Sequence, residues 1–202
     1  MTDYYSPTVI QPLIPVAAMT PLERLLLENI FGAEPVGDDL YFYAEEGPVD
    51  FIVLSRAEIA EALAASNGIA GTAATYIAER LSRVAPEDAE IDFDLSRAST
   101  WERIFQEIVR RSPTLRYVTA ITSFECSKMR ADGFGGMAVL ITADRIISKS
   151  THDLIAEFLT ETGLDAHHTH LPRSRGIVSL GRLSFVSDMD EGGGAPRRLA
   201  DD

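Results

Sequence analysis

All four histidines of the chain, His152, His167, His168 and His170, fall in one stretch near its C-terminal end, with Asp165 among them. Neutral imidazole is the commonest metal ligand, and a carboxylate can complete a set of this kind. On an extended segment His168 and His170 point to one side and His167 to the other, so the pair could share an ion with His152 or Asp165 as a third ligand. Zinc or a similar divalent ion is the chemistry that set implies. The spacing matches neither His-Glu-x-x-His nor Cys-x-x-Cys, and a solvated polar loop accounts for the same residues.

A second cluster runs from Cys126 to Gly136. Lys128 and Arg130 supply positive charge, and Gly133, Gly135 and Gly136 leave backbone amides free to turn toward an anion, which points to phosphate or carboxylate binding. The stretch lacks the Gly-x-x-x-x-Gly-Lys-Ser/Thr phosphate loop. A bulged hairpin whose glycines take positive φ angles is the competing account. Cys126, beside two cations, could act as a nucleophile if His168 or His170 reached it, which would make a hydrolase-type enzyme. A lone cysteine at a strand end is otherwise a small buried apolar residue. There is no Gly-x-Ser-x-Gly elbow for serine chemistry.

Composition bounds what these groups can serve. The chain has 202 residues, 46% hydrophobic and 24% charged, enough for one substantial core. Its net charge of −13 disfavours non-specific attraction to nucleic acid or anionic lipid. Residues 1–100 hold seventeen acidic and five basic side chains, whereas residues 101–150 hold five acidic and eight basic. Asp38, Asp39, Glu45, Glu46 and Asp50 surround Tyr41, Phe42 and Tyr43, a combination that could offer a partner a charged, partly apolar surface. One cysteine permits no internal disulfide and fits a reducing, cytoplasmic setting. The apolar run at residues 9–19 carries two prolines and is too short to span a bilayer, so no membrane partner is expected.

The elements that must position these residues follow from periodicity. Residues 1–19, punctuated by Pro7, Pro12 and Pro15, read as an extended N-terminal arm laid over the surface. Thr20-Pro21-Leu22-Glu23 opens a helix with an apolar face at Leu22, Leu25, Leu26 and Ile30 that Gly32 ends. Residues 40–44 and 50–54 read as a hairpin around Glu45-Glu46-Gly47-Pro48. Ser55-Arg56-Ala57-Glu58 opens a helix stopping near Asn67-Gly68, and a second runs from Thr72 to Val84.

Alternation of Ile91, Phe93 and Leu95 with acids predicts a half-buried strand. Ser99 and Glu102 cap a helix through Trp101, Ile104, Phe105, Ile108 and Val109. Strands are expected at 116–124, 137–142 and 177–186, with a helix capped by Ser150 and Asp153 between the last two. Residues 188–202 read as a disordered tail.

The order of elements predicts an α+β fold, a single domain over 20–187 with an antiparallel or mixed sheet of about six strands against about five helices. The helix pair at 55–84 loosely fits helix-turn-helix spacing. Its second helix has no cation in its leading turns, so nucleic acid is an unpromising partner. The reading that absorbs most of these features is a non-catalytic accessory or binding protein recognising a protein partner or a small anionic ligand. The alternative is the metal- or thiol-dependent enzyme built on the histidine cluster.

Overall fold

The computed structural model describes residues 3–96, 100–130 and 133–164. Asp165, His167, His168, His170, the strand expected at 177–186 and the tail expected at 188–202 therefore lie outside the described residues.

Prolines divide the N-terminal segment, because each removes an amide donor from a ladder. The products are three short strands, β1 (Tyr4–Tyr5), β2 (Thr8–Gln11) and β3 (Ile14–Pro15). The segment is extended, but it does not run over the surface. Thr8 and Val9 pair with Ala44 and Tyr43 on one side and with Thr122 and Ile121 on the other, and Ile10 is buried. Alternation makes this possible: Thr8 and Ile10 face the core, Val9 and Gln11 face out, and the Thr8 hydroxyl meets that of Thr122 at 2.9 Å.

Helix α1 (Pro21–Ile30) starts where the sequence predicts. The Glu23 amide donates to Thr20 Oγ1 at 3.2 Å, and the Thr20 amide donates to Glu23 Oε2 at 2.8 Å. The chain then forms β4 (Gly32–Val36) and β5 (Asp39–Ala44), joined by a tight Gly37-Asp38 turn with Gly37 at φ 63°. The hairpin expected between 40–44 and 50–54 is not formed. With β4 on one edge of β5 and β2 and β3 sharing the other, no edge remains for the next strand. A two-residue Gly-Asp turn closes a hairpin more readily than the longer Glu45–Asp50 connection. Strand β6 (Phe51–Ser55) pairs instead with β7 (Glu90–Asp94), forming a separate two-stranded ribbon.

Between these strands lie α2 (Arg56–Ala65) and α3 (Thr72–Leu81), separated by a turn in which Asn67 and Gly68 take φ 52° and 69°. After β7 come α4 (Thr100–Arg111), β8 (Tyr117–Cys126), β9 (Gly135–Thr142), β10 (Ile146–Ser150) and α5 (Thr151–Glu161). The main sheet is wholly antiparallel and runs β10-β9-β8-β2-β5, with β3 and β4 on the two edges of β5 and β1 extending along β8. The protein is a single-domain α+β fold.

Helices α1 and α4 seal one face of this sheet. Phe31, Phe42, Trp101 and Phe105 form an edge-on aromatic cluster with ring centroids 5.5 to 6.3 Å apart. Leu26, Leu27, Ile104 and Ile108 fill the space around it. Fully burying one such side chain contributes roughly 1.5–3 kcal/mol. Among the described residues no helix is long and apolar enough to cross a membrane.

Candidate functional site

The face of the main sheet opposite α1 and α4 is the broadest surface with unusual chemistry. Its outward residues include Lys149 and Ile147 of β10, Ala138 and Leu140 of β9, Tyr117 and Ile121 of β8, Val9 of β2, and Tyr41 and Tyr43 of β5. Among the described residues of this face, none is buried. Antiparallel sheets commonly leave one face wet, but that face is then polar. Here Tyr117 is 50% exposed and Ile121 45%. Register aligns Ala138, Ile121, Val9 and Tyr43 in a single row across four strands.

The acidic aromatic segment splits across the sheet because side chains alternate along a strand. Phe42 enters the core, whereas Tyr41 and Tyr43 stack on the open face with centroids 5.5 Å apart. Gly32 opposite Tyr43 permits this, since a Cβ there would stand 2.9 Å from the ring. The Tyr43 hydroxyl donates to Glu34 Oε1 at 3.3 Å, and the negative charge of Glu34 holds the phenol above its ordinary pKa.

The described glycines of the 126–136 segment stand close to neighbouring atoms. Cys126 is buried, and Gly133 lies so close that a Cβ on it would meet the Cys126 Cβ at 2.6 Å. Gly135 and Gly136 belong to β9, and the Gly136 amide donates to Thr151 Oγ1 at 3.3 Å. These glycines answer close approaches rather than positive φ angles, which occur at Gly37, Gly47, Gly68 and Gly163. Lys128 is exposed, and the Arg130 amide donates to the Lys128 carbonyl at 2.8 Å. His152, exposed in the first turn of α5, comes 3.9 Å from the Cβ position of Gly135, so the start of α5 does approach this segment. Among the described residues no three His, Cys, Asp or Glu side chains gather in metal-ligating geometry.

The helix pair α2–α3 has a different use for its termini from the one DNA reading requires. Glu107 of α4 accepts from the Thr72 amide at 2.9 Å and from its hydroxyl at 2.7 Å, so a carboxylate already occupies the N-terminus of the would-be recognition helix. Arg80 donates to the Asp92 carbonyl, and Arg83 pairs with Glu79.

Two adjoining hollows separate the start of α1 from the α2–α3 turn and from Ser112–Thr114, and the larger is about 510 Å³. Arg111 borders it and donates to Glu23 Oε2 at 2.5 Å. Glu23 is 3% exposed, so this ion pair neutralises a buried carboxylate and leaves the guanidinium little charge for an incoming anion. Nothing local in the sequence marks the partner of Arg111, which lies 88 residues away. Near the start of α4, Thr100 Oγ1 and Glu102 Oε2 are buried and have no hydrogen-bond partner among the described residues. Burial pushes the Glu102 carboxyl up to about 7, against weaker opposing pulls from the backbone and Arg103.

Compared with known protein families, characterised proteins and solved structures, the chain matches none.

Proposed function

We propose that this chain is a non-catalytic accessory protein that holds a protein partner against the open face of its main sheet. The observation that supports the reading is an apolar and aromatic row, Ala138, Ile121, Val9 and Tyr43, on a face with no buried residue among those described. Strands about 4.8 Å apart and up to ten residues long make a platform on the order of 25 by 30 Å. That is close to the ~800 Å² that each partner contributes to a standard interface. Glu34, Asp39 and Glu125 at its margins would bias the choice toward a partner with basic rim residues. A cytoplasmic setting fits the single cysteine.

The test is site-specific photocrosslinking of the full chain in the cells that make it, with the photoreactive aromatic residue placed at Ile121 or, as a control, at exposed Glu61 on α2. A discrete crosslinked protein from position 121 but not 61, lost on adding Tyr117→Arg, is the expected result. Equal or no crosslinking from the two positions overturns the reading.

A further inference from the structure

The β6–β7 ribbon carries a second surface with a more specific demand. β6 is apolar on both faces: Ile52 and Leu54 are buried against Phe93 and Ile91, while Phe51 and Val53 point outward at 69% and 56% exposure. A strand apolar on both faces belongs inside a sheet, with a neighbour on each edge. β6 has only one.

The hydrogen-bond pattern identifies the groups left over. Leu95 N donates to the Asp50 carbonyl and Arg56 N to the Ala89 carbonyl, so the even-numbered residues of β6 bond to β7 and the odd-numbered ones face away. On that outer edge the Val49 amide reaches the Ile30 carbonyl, and the Ser55 amide reaches Glu58 Oε2. Between them the N–H and C=O groups of Phe51 and Val53 meet no partner among the described residues. The opposite edge of the ribbon is treated differently. There the outward carbonyls of Asp94 and Asp92 accept from the Tyr76 hydroxyl and Arg80 Nε, both at 2.6 Å. Among the described residues, one edge is closed by side chains of α3 and the other is left open.

We propose that the open edge of β6 is a strand-addition site for an extended peptide segment in which apolar residues alternate with lysine or arginine. Main-chain pairing at Phe51 and Val53 would supply register, as in other edge-strand recognition. The apolar half of the segment would cover those two side chains. Its cations answer the acids nearby: exposed Asp50 just before β6, and Glu90 and Asp92, which stand opposite Ser55 and Val53 on the same outer face. A net charge of −13 favours a basic partner over a second copy of this chain. A third strand would also relieve the marginal stability of a two-stranded ribbon.

The probe is a short fluorescein-labelled peptide of alternating valine and lysine, titrated into the full chain by anisotropy, with the valine–glutamate peptide as control. Binding of the lysine peptide alone is expected, weakening as salt is raised. Val53→Pro removes an outward donor without touching the ladder to β7, and should weaken binding about tenfold or more. Asp92→Asn, which leaves the backbone alone, should weaken it several-fold, and Ile121→Arg on the main sheet should leave it unchanged. Hydrogen exchange at the Phe51 and Val53 amides should slow on binding.

Equal binding of both peptides, or no binding, overturns the proposal. So does protection of those two amides in the free chain, whether removed by dilution, as for a second copy, or persistent, as for another segment of this chain. Failure here leaves the Ile121 crosslinking result standing, because the two surfaces lie on different sheets.

Discussion

Helices α1 and α5 begin with the same chemistry and end in opposite surroundings. Each opens with a complete capping box, Thr20 with Glu23 and Ser150 with Asp153, whose reciprocal hydrogen bonds span 2.7 to 3.2 Å. Both carry apolar residues at helical spacing. Yet α1 buries Leu22, Leu26, Leu27 and Ile30, whereas α5 buries no residue and leaves Ile155 and Phe158 more than half exposed. A cap is satisfied within four residues, so it forms wherever the chain goes. Burial requires a second surface that remote sequence must supply, and α1 finds it in α2, α3, α4 and β4. Helix α5 lies against β9 and β10 without burying a residue of its own.

The sharpest way to break this contrast is to empty both helices. Leu26→Ala removes a wholly buried side chain and should cost about 3–5 kcal/mol in denaturant unfolding. Phe158→Ala should cost less than about 1 kcal/mol, as exposed sites do. An equal loss at both positions would mean that α5 is covered in solution. Next in size, Arg111→Ala strands the buried Glu23 carboxylate, and should cost about 2–3 kcal/mol because the guanidinium is itself only 31% exposed. Lys149→Ala breaks the α5 counterpart, a pair with Glu157 in which both partners are about half exposed, and should cost no more than about 0.5 kcal/mol.

Titration extends the contrast to the carboxylates in the first turns of α4 and α5. Hydrogen bonds from Ser150 hold Asp153 below its ordinary range, so its support for α5 is present above that range and fades on acidification. Glu102 has the opposite sign. Its folded pKa of about 7 lies above the ordinary 4.5, so the folded state holds the proton more tightly. Stability is then highest below about 4.5 and declines as pH rises toward 7, by roughly 2–3 kcal/mol. Glu102→Gln should remove that decline, so urea midpoints at pH 5 and pH 8 would converge. An unchanged decline in the variant would assign it to another group.

What could be read in advance divides along the same line between local and remote causes. The starts of α1, α2 and α5, the Asn67-Gly68 stop and the alternation of β7 were legible because each rests on a few adjacent residues. The course of residues 4–15 through the sheet was not, because prolines argue against a central strand and only the partners Thr122 and Ala44 overrule them. The Gly37-Asp38 turn was a readable hairpin signal that the more conspicuous Glu45–Pro48 stretch obscured. Of the candidate site residues, the alternation that sends Phe42 inward and Tyr43 outward was available in the sequence. The closure of Gly133 over Cys126 and the Arg111–Glu23 pair depend on contacts the sequence does not encode locally.

The smallest effect tests the lesson most directly. Thr20→Ala and Ser150→Ala each remove one cap acceptor, a change on the order of 1 kcal/mol to the helix concerned. Helix α1 is fixed within the core, so its loss should appear in full as a lowered global unfolding midpoint. Helix α5 has no buried residue through which to pass its loss on, so Ser150→Ala should leave the midpoint almost unchanged while speeding hydrogen exchange across 151–161 severalfold. Equal midpoint shifts in the two variants would show that α5 unfolds with the core. The difference in burial between the helices would then not be a difference in cooperativity.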